Sequence, residues 1–258
     1  MSAGTGVAER ADVGDVPDTL YYLYGVTHAG TKLPDVDGVG AMRPRLVESD
    51  GLALLAGDVP PGITVATREN LLAHGHLLDA VAQRSTVLPM RFGMLVEDLD
   101  AVSADMLTAR RDEYLAQLDE LDGAVQFSLR ATYDEDVVLA EILAEDDEIR
   151  QLNEATRGAP EEAMRAERVR LGELVVTAFG AKRPADAEAV LDRARSVARA
   201  VVARASGAPA AVVDAALLVD RERADELEEQ LERLARELAP RIRLRLVGPQ
   251  APYDFVAD

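Results

Sequence analysis

His74 and His76 are the one closely spaced pair of side chains here that could hold a metal through imidazole; His28 is the third and last histidine. Chelation needs both rings on one side, and two positions apart on a helix they point roughly 200° apart. One packed and one exposed histidine is the expectation. A second candidate is "DEDVVLAEILAEDDEI", residues 134–149, with eight carboxylates and no base. Paired acids can move protons or bind a divalent ion. Their helical spacing, without the glycine turn of a calcium loop, predicts a solvated helix face instead. The third candidate is Arg91, inside the apolar stretch "TVLPMRFGML" at 86–95. That stretch reads as a buried strand, where a guanidinium needs carboxylate or carbonyl partners. It could bind an anion; with no nucleophile or base beside it, a structural clamp is the expectation.

Other catalytic signatures are missing. There is no GxGxxG after a strand, no Walker lysine and no GxSxG. The absence of cysteine rules out disulfides, cysteine-bound zinc, iron–sulfur clusters and a thiol nucleophile. No catalytic, cofactor-binding or metal-binding residue is therefore expected, and no cofactor. A net charge of −19, from 28 basic and 47 acidic residues, argues against nucleic acid and anionic membranes as partners. No apolar run approaches the ~20 residues that span a bilayer. The default expectation is a cytosolic protein.

The elements that must position these residues divide the 258-residue chain in two. Residues 1–18 read as a disordered lead-in. An N-terminal α+β domain is expected over 19–122. It opens with a strand at 19–27, followed by two short strands turning at Asp50-Gly51. A helix capped by Thr67 comes next, with Leu71, Leu72, His74, Leu78, Val81 and Ala82 at helical spacing. A second helix, opened by Asp100 or Ser103, carries Val102, Met106, Leu107, Tyr114, Leu118 and Leu121 on one face.

A C-terminal domain is expected over 123–258. It begins with a strand alternating Val125, Phe127, Leu129 and Ala131. Helical patterns follow at 135–157, 160–178 and 184–206, with Gly158 stopping the first and Pro160 starting the second. Their thin stripes, such as Ile142, Ile149, Leu152, Val190, Val197 and Val201, suit helices packed on one another as a projecting, partly dispensable insertion at 135–206. The strand "AAVVDAALLV" comes next. The helix "RERADELEEQLERLARE" then packs Leu227, Leu231, Leu234 and Leu238 on the sheet. The strand "RIRLRLVG" closes the domain. Apart from the insertion this is an α+β sandwich of the ferredoxin type.

Several of these segments carry a resemblance. Leu88-Pro89-Met90-Arg91-Phe92-Gly93 after "ENLLAHGHLLDAV", the opening "YYLYGVT", and Gly248-Pro249 with Pro252-Tyr253 and Phe255 resemble the gas vesicle protein F/L (GvpF/GvpL) family. The resemblance covers residues 19–256 in order. Met94 departs from it, where members carry a small residue or threonine. It implies two α+β domains, the second a modified ferredoxin-like one with a long helix pair. It also implies a non-enzymatic accessory or minor structural protein of gas vesicle formation. Such a protein contacts the major wall protein and other accessory proteins, assists nucleation, and resides in the vesicle, being cytoplasmic during assembly. The stretch at 86–95 then reads as a core strand. The competing expectation is a ferredoxin-like domain that binds or transforms a small molecule, and a third is a generic acidic adaptor built on the helix pair.

Overall fold

Tyrosines, leucines and Val26 in a nearly continuous buried run form the central strand of a first antiparallel sheet, β1 (Leu20–His28). The computed structural model describes residues 20–60, 62–160 and 162–257; the lead-in expected over 1–18 lies outside them. Beside β1 run β2 (Arg45–Ser49), β3 (Leu52–Val59) and β4 (Val87–Pro89), in the order β2-β3-β1-β4, and β5 (Leu95–Val96) also pairs with β1. Asp50 and Gly51 have φ of 48° and 88°, the positive pair that a two-residue hairpin turn requires.

Both faces of this sheet are covered. On one, α1 (Arg68–Ala82) presses Leu77, Leu78 and Val81 against Tyr22, Tyr24 and Leu55. On the other, Leu23, Val26, Leu52 and Leu54 meet Leu107 of α2 (Leu99–Ala109) and Tyr114 and Leu118 of α3 (Arg111–Glu120). The register shift between Leu23 and Gly25 lets Leu23 and Val26 share that face. Thr67 caps α1 as expected, accepting from the Asn70 amide. Leu71 and Leu72, however, are each 50% exposed, while Asn70 and Leu77 are buried. Leu71 and Leu72 thus lie on the outer face of α1, and Asn70 ties the first turn to the preceding loop by donating to the Thr64 and Val65 carbonyls. The expected single second helix is two. Asp98 caps α2, rather than Asp100 or Ser103, and Arg110 breaks the chain before α3.

The second sheet comprises β6 (Ala124–Tyr133), β7 (Ala200–Ala203), β8 (Ala211–Asp220) and β9 (Ile242–Gln250), all antiparallel and ordered β7-β8-β6-β9. With helices between β6 and β7 and between β8 and β9, this is the βαββαβ arrangement of a ferredoxin-like sandwich. The first sheet has the same strand order, with a loop and a short 3-10 turn where the first crossover helix would stand. The chain is α+β, as expected.

The helical region departs from the expectation in four ways. Asp146 splits the first segment into α4 (Glu135–Glu145) and α5 (Asp147–Thr156) by capping the latter. The next two segments merge into α6 (Arg165–Arg195), with Pro184 inside it. A proline there costs about 3 kcal/mol, and tertiary packing on both sides offsets it. Residues 200–203, expected to be helical, are β7, where Val201 and Val202 register against Leu217 and Ala216 of β8. Nor do the helices merely project. Val138, Ile142, Ile149, Val190 and Ala194 are buried with Leu129 and Ala131 in the core of the second sheet. Helix α7 (Ala224–Leu238) covers the rest of that face through Leu227, Leu231 and Leu234, as its spacing predicted.

Candidate functional site

The segment after β4 is shaped by its neighbours on β1. Gly25 registers against Pro89, and a Cβ there would stand 2.4 Å from the Leu88 carbonyl oxygen, so only glycine admits the motif this closely. Beyond Pro89 the Met90 amide donates to the Tyr24 carbonyl at 2.7 Å, and the Gly93 amide, at φ +97°, donates to the Tyr22 hydroxyl at 2.8 Å. The strand therefore ends at Pro89, and Arg91 lies in an exposed turn rather than a buried strand. The apolar residues around Arg91 hid the turn: Val87 and Leu88 face the core, while Gly93 reverses the chain outward.

Phe92 points inward to an aromatic box around His74. The His74 ring stacks on Tyr24 at 5.7 Å, and its nitrogens face the hydroxyls of Tyr22, 3.1 Å from Nδ1, and Tyr253, 2.8 Å from Nε2. Burial pushes the imidazole down to about 4, against the smaller opposing effect of a hydrogen bond that the ring donates to the Met90 backbone carbonyl. His74 is packed and His76 exposed, so the two do not converge. Sequence reasoning missed the tyrosines; the signal was the alternation of Tyr22 and Tyr24 on one face of a strand beside a helix bearing an apolar-face histidine.

The C-terminal segment closes the box. The Ala251 amide donates to Asp79 Oδ1 at 2.9 Å, and burial raises the Asp79 carboxyl above its ordinary range. Asp254 takes two bonds from Arg204, at 2.9 and 2.5 Å, and one from Gln126 at 2.7 Å. The Arg204 bond, foremost, holds Asp254 below the usual carboxylate range. Phe255 and Val256 then pack with Leu118, Ala124 and Leu218, an apolar cluster drawn from both sheets.

Between the turn, α2 and this tail lies an open groove of about 460 Å³. Met90, Met94 and Met106 line it, half of the six methionines in the chain. Arg91 and Arg110 stand at its lip. The Arg110 guanidinium is held by Glu113 at 2.8 and 2.5 Å and lies 5.1 Å from the Tyr114 ring centre. Thioethers are polarizable and flexible, so such a surface moulds itself to apolar side chains. The acidic run elsewhere is engaged structurally. Asp134 and Asp146 cap helices, Glu141 binds Arg241 at 2.8 Å and Glu145 binds Lys182 at 2.6 Å. Among the described residues no group of three or more histidines and carboxylates is placed to hold a metal ion.

Comparison with known proteins places these features in context. The family model for "Gas vesicle synthesis protein GvpL/GvpF" matches residues 20–257. Gas vesicle protein F of Streptomyces sp. (strain CB03234) is 33% identical over 240 residues, covering 91% of this chain and 98% of its own. Gas vesicle protein L of the same organism is 28% identical over 254 residues, covering 92% and 93%. The crystal structure of GvpF from Anabaena sp. PCC7120 superposes with a TM-score of 0.77 at 21% identity, over 93% of this chain and 99% of that one. That of GvpF from Microcystis aeruginosa gives 0.73 at 22% identity, over 92% and 98%. At those identities the structures speak to the fold.

Proposed function

The chain belongs to the gas vesicle synthesis protein GvpL/GvpF family, which gives it a gas vesicle-related role, and from that premise we propose that it is a non-enzymatic accessory that binds the major wall protein. In this reading it also contacts other accessory proteins, assists nucleation, and resides in the vesicle after a cytoplasmic stage. Residues 19–122 and 123–258 act as its two domains. The observation that carries the reading is the methionine groove, whose thioethers and aliphatic walls suit an apolar segment better than a reacting group. The net charge of −19 keeps such a complex soluble, with charge acting on the rate of encounter more than on affinity.

The test is a titration of purified wall protein across salt concentrations, with the parent protein and the double variant Met94→Glu/Met106→Glu. Apolar binding predicts nearly constant affinity between low and physiological salt, and a loss of about tenfold or more in the variant. A steep fall with salt would mean that acidic side chains hold the partner. An unaffected variant would move the contact off the groove.

A further inference from the structure

Strand β9 is an edge of the second sheet: it pairs with β6 on one side, and among the described residues no strand pairs with its other side. Its pairing with β6 is regular from Ile242 to Val247, where the register shifts, so six residues present a straight outer edge. Such edges are usually short, bulged or covered, because their unpaired amides and carbonyls recruit other strands. The opposite edge, β7, has only four residues.

The two sides of β9 differ in chemistry. Towards the helices, Leu244 and Leu246 border a groove of about 330 Å³ that reaches Leu231 and Ala235 of α7, and Glu228 and Glu232 stand on its rim. On the other side Arg243 and Arg245 are exposed, and Arg245 registers beside the exposed Arg130 of β6. Arg130 and Arg243 reach Asp214 and Asp134 at 3.0 and 2.9 Å, yet remain 62% and 73% exposed. In a chain of net charge −19 this is a local concentration of cations.

We propose that the outer edge of β9 receives an extended segment of another protein, which adds to the sheet as a fifth strand with aliphatic side chains in the Leu244–Leu246 groove and acidic side chains against Arg243 and Arg245. Backbone pairing supplies the affinity and the alternating side chains the selectivity. The charges set which face turns where, since Glu228 and Glu232 repel acids from the groove side. They also disfavour a second copy of this chain. Antiparallel self-pairing would bring the arginines of both β9 strands onto one face and leave like charges opposed. The proposal holds whichever gas vesicle component supplies the strand, and it does not involve the methionine groove.

The test uses the full chain with two labelled, N-acetylated peptides, four repeats of Val-Glu and four repeats of Val-Lys. Binding is read by fluorescence anisotropy and located by amide hydrogen exchange. The overall charge favours the lysine peptide, whereas the β9 edge favours the glutamate peptide. We expect Val-Glu to bind about tenfold tighter or more and to protect amides within 243–247. In Arg245→Glu, an exposed change, that preference should vanish. Equal or tighter binding of Val-Lys, absence of binding by Val-Glu, or protection outside β9 would overturn the proposal. So would protection of 243–247 that grows with protein concentration in the absence of peptide, which would identify a second copy as the occupant.

Discussion

The Tyr253 hydroxyl lies 2.8 Å from His74 Nε2, across 179 positions of sequence. His74 is 2% exposed, and its Nδ1 faces the Tyr22 hydroxyl at 3.1 Å. A neutral imidazole has one donor and one acceptor nitrogen, so one tyrosine donates to it and the other accepts. The contact fastens the C-terminal segment to α1, while Asp254 fastens it to the second sheet. Tyr253→Phe should therefore cost about 1–2 kcal/mol, since it leaves a buried ring nitrogen without its partner. Urea unfolding measures this; parent-like stability would show that the hydroxyl is replaceable.

His74 also makes the fold sensitive to mild acid. The unfolded imidazole takes a proton near pH 6.5, the folded one only near 4, because burial penalises the cation. Between those values the unfolded chain binds more protons. The contribution of His74 is thus complete above pH 6.5 and declines as pH falls towards 4, by about 3 kcal/mol in all. His74→Gln removes the titration, and its unfolding free energy should be flatter than the parent's between pH 6.5 and 4. Parallel profiles would mean that another group sets the slope. Asp254, held low by Arg204, acts only in more acidic solution.

Much of this architecture was legible locally. Thr67 announces α1, Asp50-Gly51 announces a hairpin, and Leu227, Leu231 and Leu234 announce the buried face of α7, because each signal lies within a few residues of its effect. What escaped depends on distant partners. β7 is four residues in an alanine-rich run, and only its pairing with β8 makes it a strand. Pro184 reads as a helix start until α6 is seen packed along α4 and α5. The His74 box brings together side chains from β1, α1, the turn at Phe92 and the tail, and no spacing encodes that convergence.

Gly25 is the structural reason that the Leu88-Pro89 segment lies flat on β1. In Gly25→Ala the new Cβ would meet a backbone oxygen, which cannot rotate away as a side chain can. We expect a loss of about 2 kcal/mol or more, from strain in a packed core. Thermal unfolding reports it; a change under 0.5 kcal/mol would mean that β4 moves freely away from β1.

Arg91 lies just beyond that segment, and its exposure separates stability from recognition. Arg91→Ala should lower unfolding free energy by no more than about 1 kcal/mol, the range of an exposed ion pair or hydrogen bond. If the methionine groove holds the partner, the same variant should still alter wall-protein binding, because the guanidinium stands at the groove's lip. A large loss of stability would show that the turn depends on this side chain.

The helical region between β6 and β7 should divide into a part that carries the core and a part that does not. Val190, near the end of α6, is fully buried against the second sheet, whereas Val176, in the middle of the same helix, is 72% exposed. Both are valines on one helix, so intrinsic propensity cancels in the comparison and burial remains. Val190→Asp puts a carboxylate among Leu129, Ile142 and Ala194 with no partner, a change that costs about 3 kcal/mol or more. Val176→Asp adds a charge to solvent and should stay within about 0.5 kcal/mol of the parent. Matched unfolding curves for the two variants are the measurement. Equal, small effects would restore the view of these helices as a dispensable hairpin; a large effect only at Val190 assigns the end of α6 to the core of the second sheet.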